Sequence, residues 1–276
     1  MIALALMGLA ALKYNGFSEV KGGGVWYFWV TIAAAALAGL TIMYRPNFES
    51  EKFKPRIYTI WVYLVLFIAP LFMTVVVERL NDNFLWTMTN NMVWTDNWFV
   101  CLLFYLLIFG ITGSVRAAVF TMSPFFLAFG VANMYVKEFK GSPLVPIDAG
   151  SVSTAMSVAT RYKYDIGADI VFGVVMTVLI IAIAAPLKMP ERKKWHRVLV
   201  RVVPLVFVVA VAGVFYLTDI PAEYGLKPDF FNQTRGYEAK GAMREFMVNT
   251  RYMRHKAPEG YNASKVPAII RSGAEG

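Results

Sequence analysis

The chain has 276 residues, 58% of them hydrophobic, and a mean hydropathy of +0.52. This is more apolar surface than a soluble core of that size can bury, so the composition excludes an ordinary soluble domain and indicates a membrane protein. The formal charge of +9 raises nucleic acid as a partner, but the basic residues punctuate apolar runs instead of gathering on one solvated face, which argues against it.

Taken in chain order, the first twelve residues, MIALALMGLAAL, are apolar but short, and they lack the basic start of a secretory signal. They are either a stub or a further span. Six apolar runs follow, at 25–44, 57–77, 94–111, 115–136, 166–185 and 198–217, the last containing Arg201 near one end. Each approaches the roughly 20 residues that a helix needs to cross the hydrocarbon. All are expected to be helices, because lipid offers no partners to unpaired backbone groups. The fold class is therefore an all-α polytopic transmembrane bundle of six spans, or seven if residues 1–12 also cross. The lone cysteine, Cys101, lies inside the third run, so neither a disulfide framework nor a cysteine metal site is available.

Loop charge sets the orientation. The loop YRPNFESEKFKPRI carries Arg45, Lys52, Lys54 and Arg56, and PLKMPERKKWHRVLVR carries Lys188, Arg192, Lys193, Lys194, Arg197 and Arg201. Both are expected in the cytoplasm, together with the short ITGSVR turn and its Arg116. Alternation then places 78–93, 137–165 and everything after Leu217 outside. The composition changes at Thr218, which divides the chain into a transmembrane domain, 1–217, and an extracellular juxtamembrane linker, 218–276. Within that linker AMREFMVNTRYMRH puts Met243, Phe246, Met247 and Met253 broadly on one helical face. Such a helix lies on a membrane surface or packs on protein.

The segment KEFKGSPLVPIDAGS, residues 137–151, interrupts the apolar runs on the outer side. Pro143 and Pro146 deny helix continuation and push Ser142 and Val145 toward extended geometry, while Gly141 relaxes the backbone. Lys137 and Lys140, with Arg161 and Lys163 further on, are candidates for anionic headgroup binding. Asp148 or Ser151 is placed to cap a following helix. The segment thus reads as an interfacial or re-entrant turn.

Few residues offer other chemistry. Asp165 and Asp169 stand four apart, on one face of the fifth helix, either as a cation or proton site or as carboxylates at a helix N-terminus. Asp96 and Asn133 read as headgroup contacts. His196 and His255 have no spacing that pairs them as metal ligands, and no phosphate-binding loop or nucleophile elbow is present.

Two strings carry a resemblance. KGSPLVPIDAGSVSTAMSVA resembles the "RG-x-PL-x-P-x-D" pattern and small-residue helix of lipoteichoic acid synthase-like proteins and related phosphoglycerol transferases. GYEAKGAMREFMVNTRYMRHKAPEGYNASKV is similar to that family's linker, "G-x-x-x-NG-x-x-x-x-F-x-x-N…PEGY". Lys140 stands where the family often has arginine, and Lys240 where it has asparagine. The resemblance implies a bacterial, multi-pass membrane domain that anchors an extracellular sulfatase-type catalytic domain, in cis or in trans, and presents phosphatidylglycerol to it. The family's catalytic domain carries a threonine nucleophile and a divalent metal, manganese or magnesium. None of its motifs occurs in this chain, so no catalytic residue, metal ligand or cofactor is assigned here. A small ion-coupled transporter and a non-catalytic membrane scaffold are the alternative functions.

Overall fold

The computed structural model describes residues 1–19, 24–44, 55–83, 91–151, 165–190, 193–229 and 231–252. Among these, every regular element is a helix. The succession is α1 (Ile2–Leu12), α2 (Tyr14–Glu19), α3 (Val25–Tyr44), α4 (Pro55–Leu80), α5 (Asn91–Thr112), α6 (Val115–Lys140), a 3-10 turn (Pro146–Ser151), α7 (Ala168–Ala184) and α8 (Lys194–Leu217). Three shorter helices follow: α9 (Ile220–Glu223), α10 (Gln233–Lys240) and α11 (Ala242–Tyr252).

Among the described residues five helices are long and apolar enough to cross a membrane: Val25–Tyr44, Arg56–Leu80, Val93–Thr112, Val115–Lys140 and Lys194–Leu217. The chain is accordingly a membrane-embedded helical protein. α7 has 17 residues. α1 has 11, a rise of about 16 Å, roughly half of a ~30 Å hydrocarbon core. α1 lies along α3 and buries Leu6 and Ala10.

α4 is the central helix, packing on α5, α6 and α7. Its Val62, Val65, Leu66, Ala69, Met73, Val76 and Val77 form the middle of the core. Pro70 sits inside it and takes away the N–H that would serve the Leu66 carbonyl; one residue on, α5 engages the same stretch of backbone, Trp98 Nε1 donating to Phe67 O at 3.0 Å. α3 packs against α7 on one flank. On the other flank α8 lies along α5 and has no buried residue at all. The two backbones meet at Gly110, where an added Cβ would lie 2.5 Å from Leu205 Cγ.

Between α5 and α6 the chain reverses in a tight turn, with Ser114 Oγ accepting from Ala117 N at 3.2 Å as the α6 N-cap. The helices α9 to α11 fold back on the end of the bundle formed by the start of α5 and the ends of α4, α6 and α8, called here the tail end.

Element limits differ from the hydropathy pattern where polar residues prolong or delay a helix: α6 runs on to Lys140, so Lys137 and Lys140 stand in its last turn and not in a loop. α4 continues to Leu80, so Glu78 and Arg79 belong to the helix and not to a loop. α7 begins at Ala168, so Asp165 precedes the helix and shares no helical face with Asp169.

Candidate functional site

The polar groups of this protein converge at the tail end. The hexad ERLNDN, 78–83, ends α4 and continues just past it, and Glu78, Asn81 and Asn83 turn under the tail instead of out to solvent. Glu78, 1% exposed, accepts from Asn83 Nδ2 at 2.6 Å through Oε2 and from the Ala242 backbone N–H at 2.8 Å through Oε1. Ala242 opens α11, and a carboxylate there satisfies an orphan N–H and complements the positive end of the helix dipole. Asn97 of α5 holds the same elbow from its other side. Its Nδ2 donates to Lys240 O at 2.9 Å, and its Oδ1 accepts from Arg244 N at 2.9 Å. Gly241, between them, has φ +87, and any Cβ there would overlap the Asn97 amide.

Tyr237 closes a second circuit. Its carbonyl accepts from Asn83 Nδ2 (2.9 Å) and Asn81 Nδ2 (3.3 Å), and its hydroxyl donates to Leu144 O (2.7 Å). The Leu144 N–H in turn donates to Asn133 Oδ1 at 2.9 Å, and Asn133 Nδ2 donates to Asn81 Oδ1 at 2.9 Å. The ring of bonds thus runs from α4 through α6 and the 137–151 segment to α10 and back. Farther out, Arg251 of α11 donates to Phe215 O (2.6 Å) and Thr218 O (2.7 Å), covering C-terminal carbonyls of α8.

The 137–151 segment takes its shape from this circuit. Gly141 ends α6 in the left-handed region, φ 74. Pro143 and Pro146 are buried, and Pro146 opens the 3-10 turn, where its fixed φ and missing N–H cost nothing. Asp148 Oδ2 accepts from Val145 N at 3.0 Å, the return arm of a capping box. The Asp148 carboxylate also receives Lys140 Nζ, at 2.9 Å to each oxygen. Lys137 donates to Asn81 O and to Glu238 Oε1, both at 3.2 Å, and lies 3.5 Å from Asp82. Both lysines therefore sit in ion pairs within the protein, Lys137 18% exposed and Lys140 44%. Arg161 and Lys163, and the helix expected after Ser151, lie outside the described residues.

Several expected roles change. Asn133 is 1% exposed and a link in the hydrogen-bonded ring, so it is not a headgroup contact. Asp96 pairs with Arg244 Nε at 3.1 Å. Asp165 and Asp169 go to different partners. Asp165, fully exposed, pairs with Lys13 at 2.9 Å, and that cation holds its carboxyl below the usual range. Asp169 accepts from Arg79 Nε at 2.7 Å and Tyr27 OH at 2.8 Å, with the Arg79 guanidinium 4.9 Å from the Tyr27 ring centre. A shared cation site for the two aspartates has no geometric basis.

Hydropathy missed Glu78, Arg79, Asn81, Asn83 and Asn97. For the first four the available signal was the hexad ERLNDN joined without a break to a long apolar run. Among the described residues no group of three His, Cys, Asp or Glu is placed to hold a metal. No protein-family model, curated protein or solved structure matches the chain.

Proposed function

We propose that this chain is the membrane domain and juxtamembrane support of a lipoteichoic acid synthase-like phosphoglycerol transferase, anchoring and orienting a sulfatase-type domain and presenting phosphatidylglycerol to it. In this reading six helices cross a bacterial cell membrane, α3 to α8. The 17 residues of α7 rise about 26 Å, close to the hydrocarbon thickness. The two basic loops face the cytoplasm and the tail faces outward.

The observation that carries the reading is the docking of α10 and α11. A passive linker after a last span needs no buried contacts, yet the α10–α11 elbow is held by Glu78 and Asn97, and Tyr237 is tied both to the end of α4, through Asn81 and Asn83, and to the 137–151 segment, through Leu144. Such a tail fixes the height and orientation of whatever it carries. The two sequence strings that carry the family resemblance meet at the Tyr237–Leu144 bond, which gives both a common purpose.

The test is to join a sulfatase-type phosphoglycerol transferase domain after Gly276, place the fusion in liposomes containing phosphatidylglycerol, and follow diacylglycerol release. Turnover is expected to exceed that of the same domain tethered by a single unrelated helix. It should fall toward that control when Tyr237→Phe and Glu78→Ala loosen the tail. Equal turnover on both anchors would reject the reading.

A further inference from the structure

The ends of α5 and α8 do not seal against each other below the tail. Between them lies a groove of about 580 Å³, within the roughly 300–1,000 Å³ of small-molecule sites. Its walls are apolar, with Phe99, Leu103 and Leu107 on α5 and Phe207, Val211 and Phe215 on α8. The charged residues lining it are Asp96 and Arg244, both at the tail end.

Three features distinguish this groove from an ordinary furrow between helices. Its depth, from Asp96 to Leu107, is eleven helical rises, about 16 Å, or half of a ~30 Å hydrocarbon core. That depth matches one leaflet. Second, α11 bridges its mouth. It is fastened to α4 and α5 through Ala242 and Arg244 N–H groups and to α8 through Arg251 and the Tyr216–Thr250 contact of 2.6 Å. Third, that bridging helix delivers a guanidinium to the top. Arg244 is 13% exposed, with Nε 3.1 Å from Asp96 Oδ2 and Nη1 3.5 Å from Glu245 Oε1. Its five-donor fork has capacity for a phosphodiester beside these carboxylates.

We infer that this groove holds one acyl chain of a glycerophospholipid from the tail-side leaflet, with the phosphodiester at Arg244. The occupant follows from the setting. The groove has an apolar depth of one leaflet between two helices able to span the membrane and a cation at headgroup height. The inference rests on the proposed function only for the position of the bundle in a bilayer, and needs no transferase domain.

The test uses the full chain in nanodiscs containing phosphatidylglycerol with a photoreactive diazirine in one acyl chain, and maps the cross-linked peptides. Labelling is expected to concentrate on 99–107 and 207–215. Ala212→Phe, which fills the groove, should reduce it about tenfold, while Val30→Phe on exposed α3 should not. Leu103→Trp serves as a second groove-filling variant, and a thermal melt in detergent reports whether each variant folds. A diazirine diacylglycerol, which lacks the phosphate, should label the wild type about tenfold less than the phospholipid. In Arg244→Gln the two lipids should label alike. Labelling spread evenly over α3, α4 and α8, or untouched by folded groove-filling variants, would overturn the site. Equal labelling of the wild type by both lipids would overturn the headgroup assignment. Either result leaves the anchoring reading standing, and a failed turnover assay leaves the groove standing.

Discussion

Glu78, at the end of α4, accepts the backbone N–H of Ala242, 164 residues later, at 2.8 Å. The bond joins a membrane helix to the start of a tail helix, and the same carboxylate also takes Asn83 Nδ2. Glu78→Ala removes both acceptors and leaves buried donors unpaired, at about 1–3 kcal/mol for each group. Hydrogen exchange over 237–248 is expected to accelerate at least about tenfold, with exchange in α1 and α3 unchanged. Glu78→Gln keeps one acceptor and should fall between the two. Unaltered exchange in the alanine variant would show that the tail is held without this bond.

The Arg79–Asp169 pair is of a different kind, because both charges are largely removed from solvent, at 7% and 16% exposure. Breaking a buried pair from one side leaves an uncompensated charge, worth about 3–5 kcal/mol, whereas replacing both partners with apolar groups is often neutral. Asp169→Leu alone should therefore lower the melting temperature strongly, and Arg79→Met with Asp169→Leu should recover most of the loss. Additive single effects would count against a coupled pair. A further change at the same position measures the transporter alternative: with Asp169 already bonded to Arg79 and Tyr27, Asp169→Asn should abolish no ion flux in proteoliposomes.

The contrast between those two contacts explains what hydropathy reveals. The six apolar runs at 25–44, 57–77, 94–111, 115–136, 166–185 and 198–217 all correspond to helices, because apolar run length is a property of the segment itself. The turn residues Gly141 and Pro146 were legible for the same reason, since their backbone preferences are local. The roles of Asn133, Asp96 and Asp169 were not. Each depends on a partner from a distant part of the chain: Asn81, Arg244 and Arg79. A polar residue near the end of an apolar run has the same sequence signature whether it faces a headgroup or a buried asparagine.

Glu245 gives a pH prediction. It is 1% exposed, and among the described residues its carboxylate makes no close hydrogen bond: Arg244 Nη1 and Lys240 Nζ stand 3.5 and 3.7 Å from Oε1. Burial raises its pKa, and the nearby Lys240 and Arg244 offset this only in part. Because the folded value lies above the unfolded one, ionisation opposes docking. Tail stability is greatest below the usual carboxylate range and falls as pH rises through that range to the folded value. Glu245→Gln should remove this dependence, leaving α11 better protected than wild type at pH 8 and equal to it near pH 4. Protection of 242–252 in hydrogen exchange at the two pH values is the measurement. A glutamine variant less protected at pH 8 would mean that the Lys240 and Arg244 attractions outweigh the burial.

The lysines of 137–151 offer the last prediction. Phosphate binding at Lys140 has to compete with Asp148, whose carboxylate sits 2.9 Å from the ammonium. Lys140→Gln thus removes a cation and also frees an anion, so weaker binding after that change alone has two causes. Asp148→Asn separates them. If Lys137, Lys140, Arg161 and Lys163 form an anionic-lipid site, Asp148→Asn should strengthen binding to phosphatidylglycerol nanodiscs, and Lys140→Gln with Arg161→Gln should weaken it in either background. The asparagine keeps one acceptor oxygen where the carboxylate serves both Lys140 and the Val145 N–H, the latter at 3.0 Å, so its fold needs checking by melting temperature. Affinity that ignores Lys140 and Arg161 in both backgrounds would assign these lysines to holding the 137–151 turn and remove them from lipid recognition. That outcome would leave Arg244 as the proposed headgroup cation.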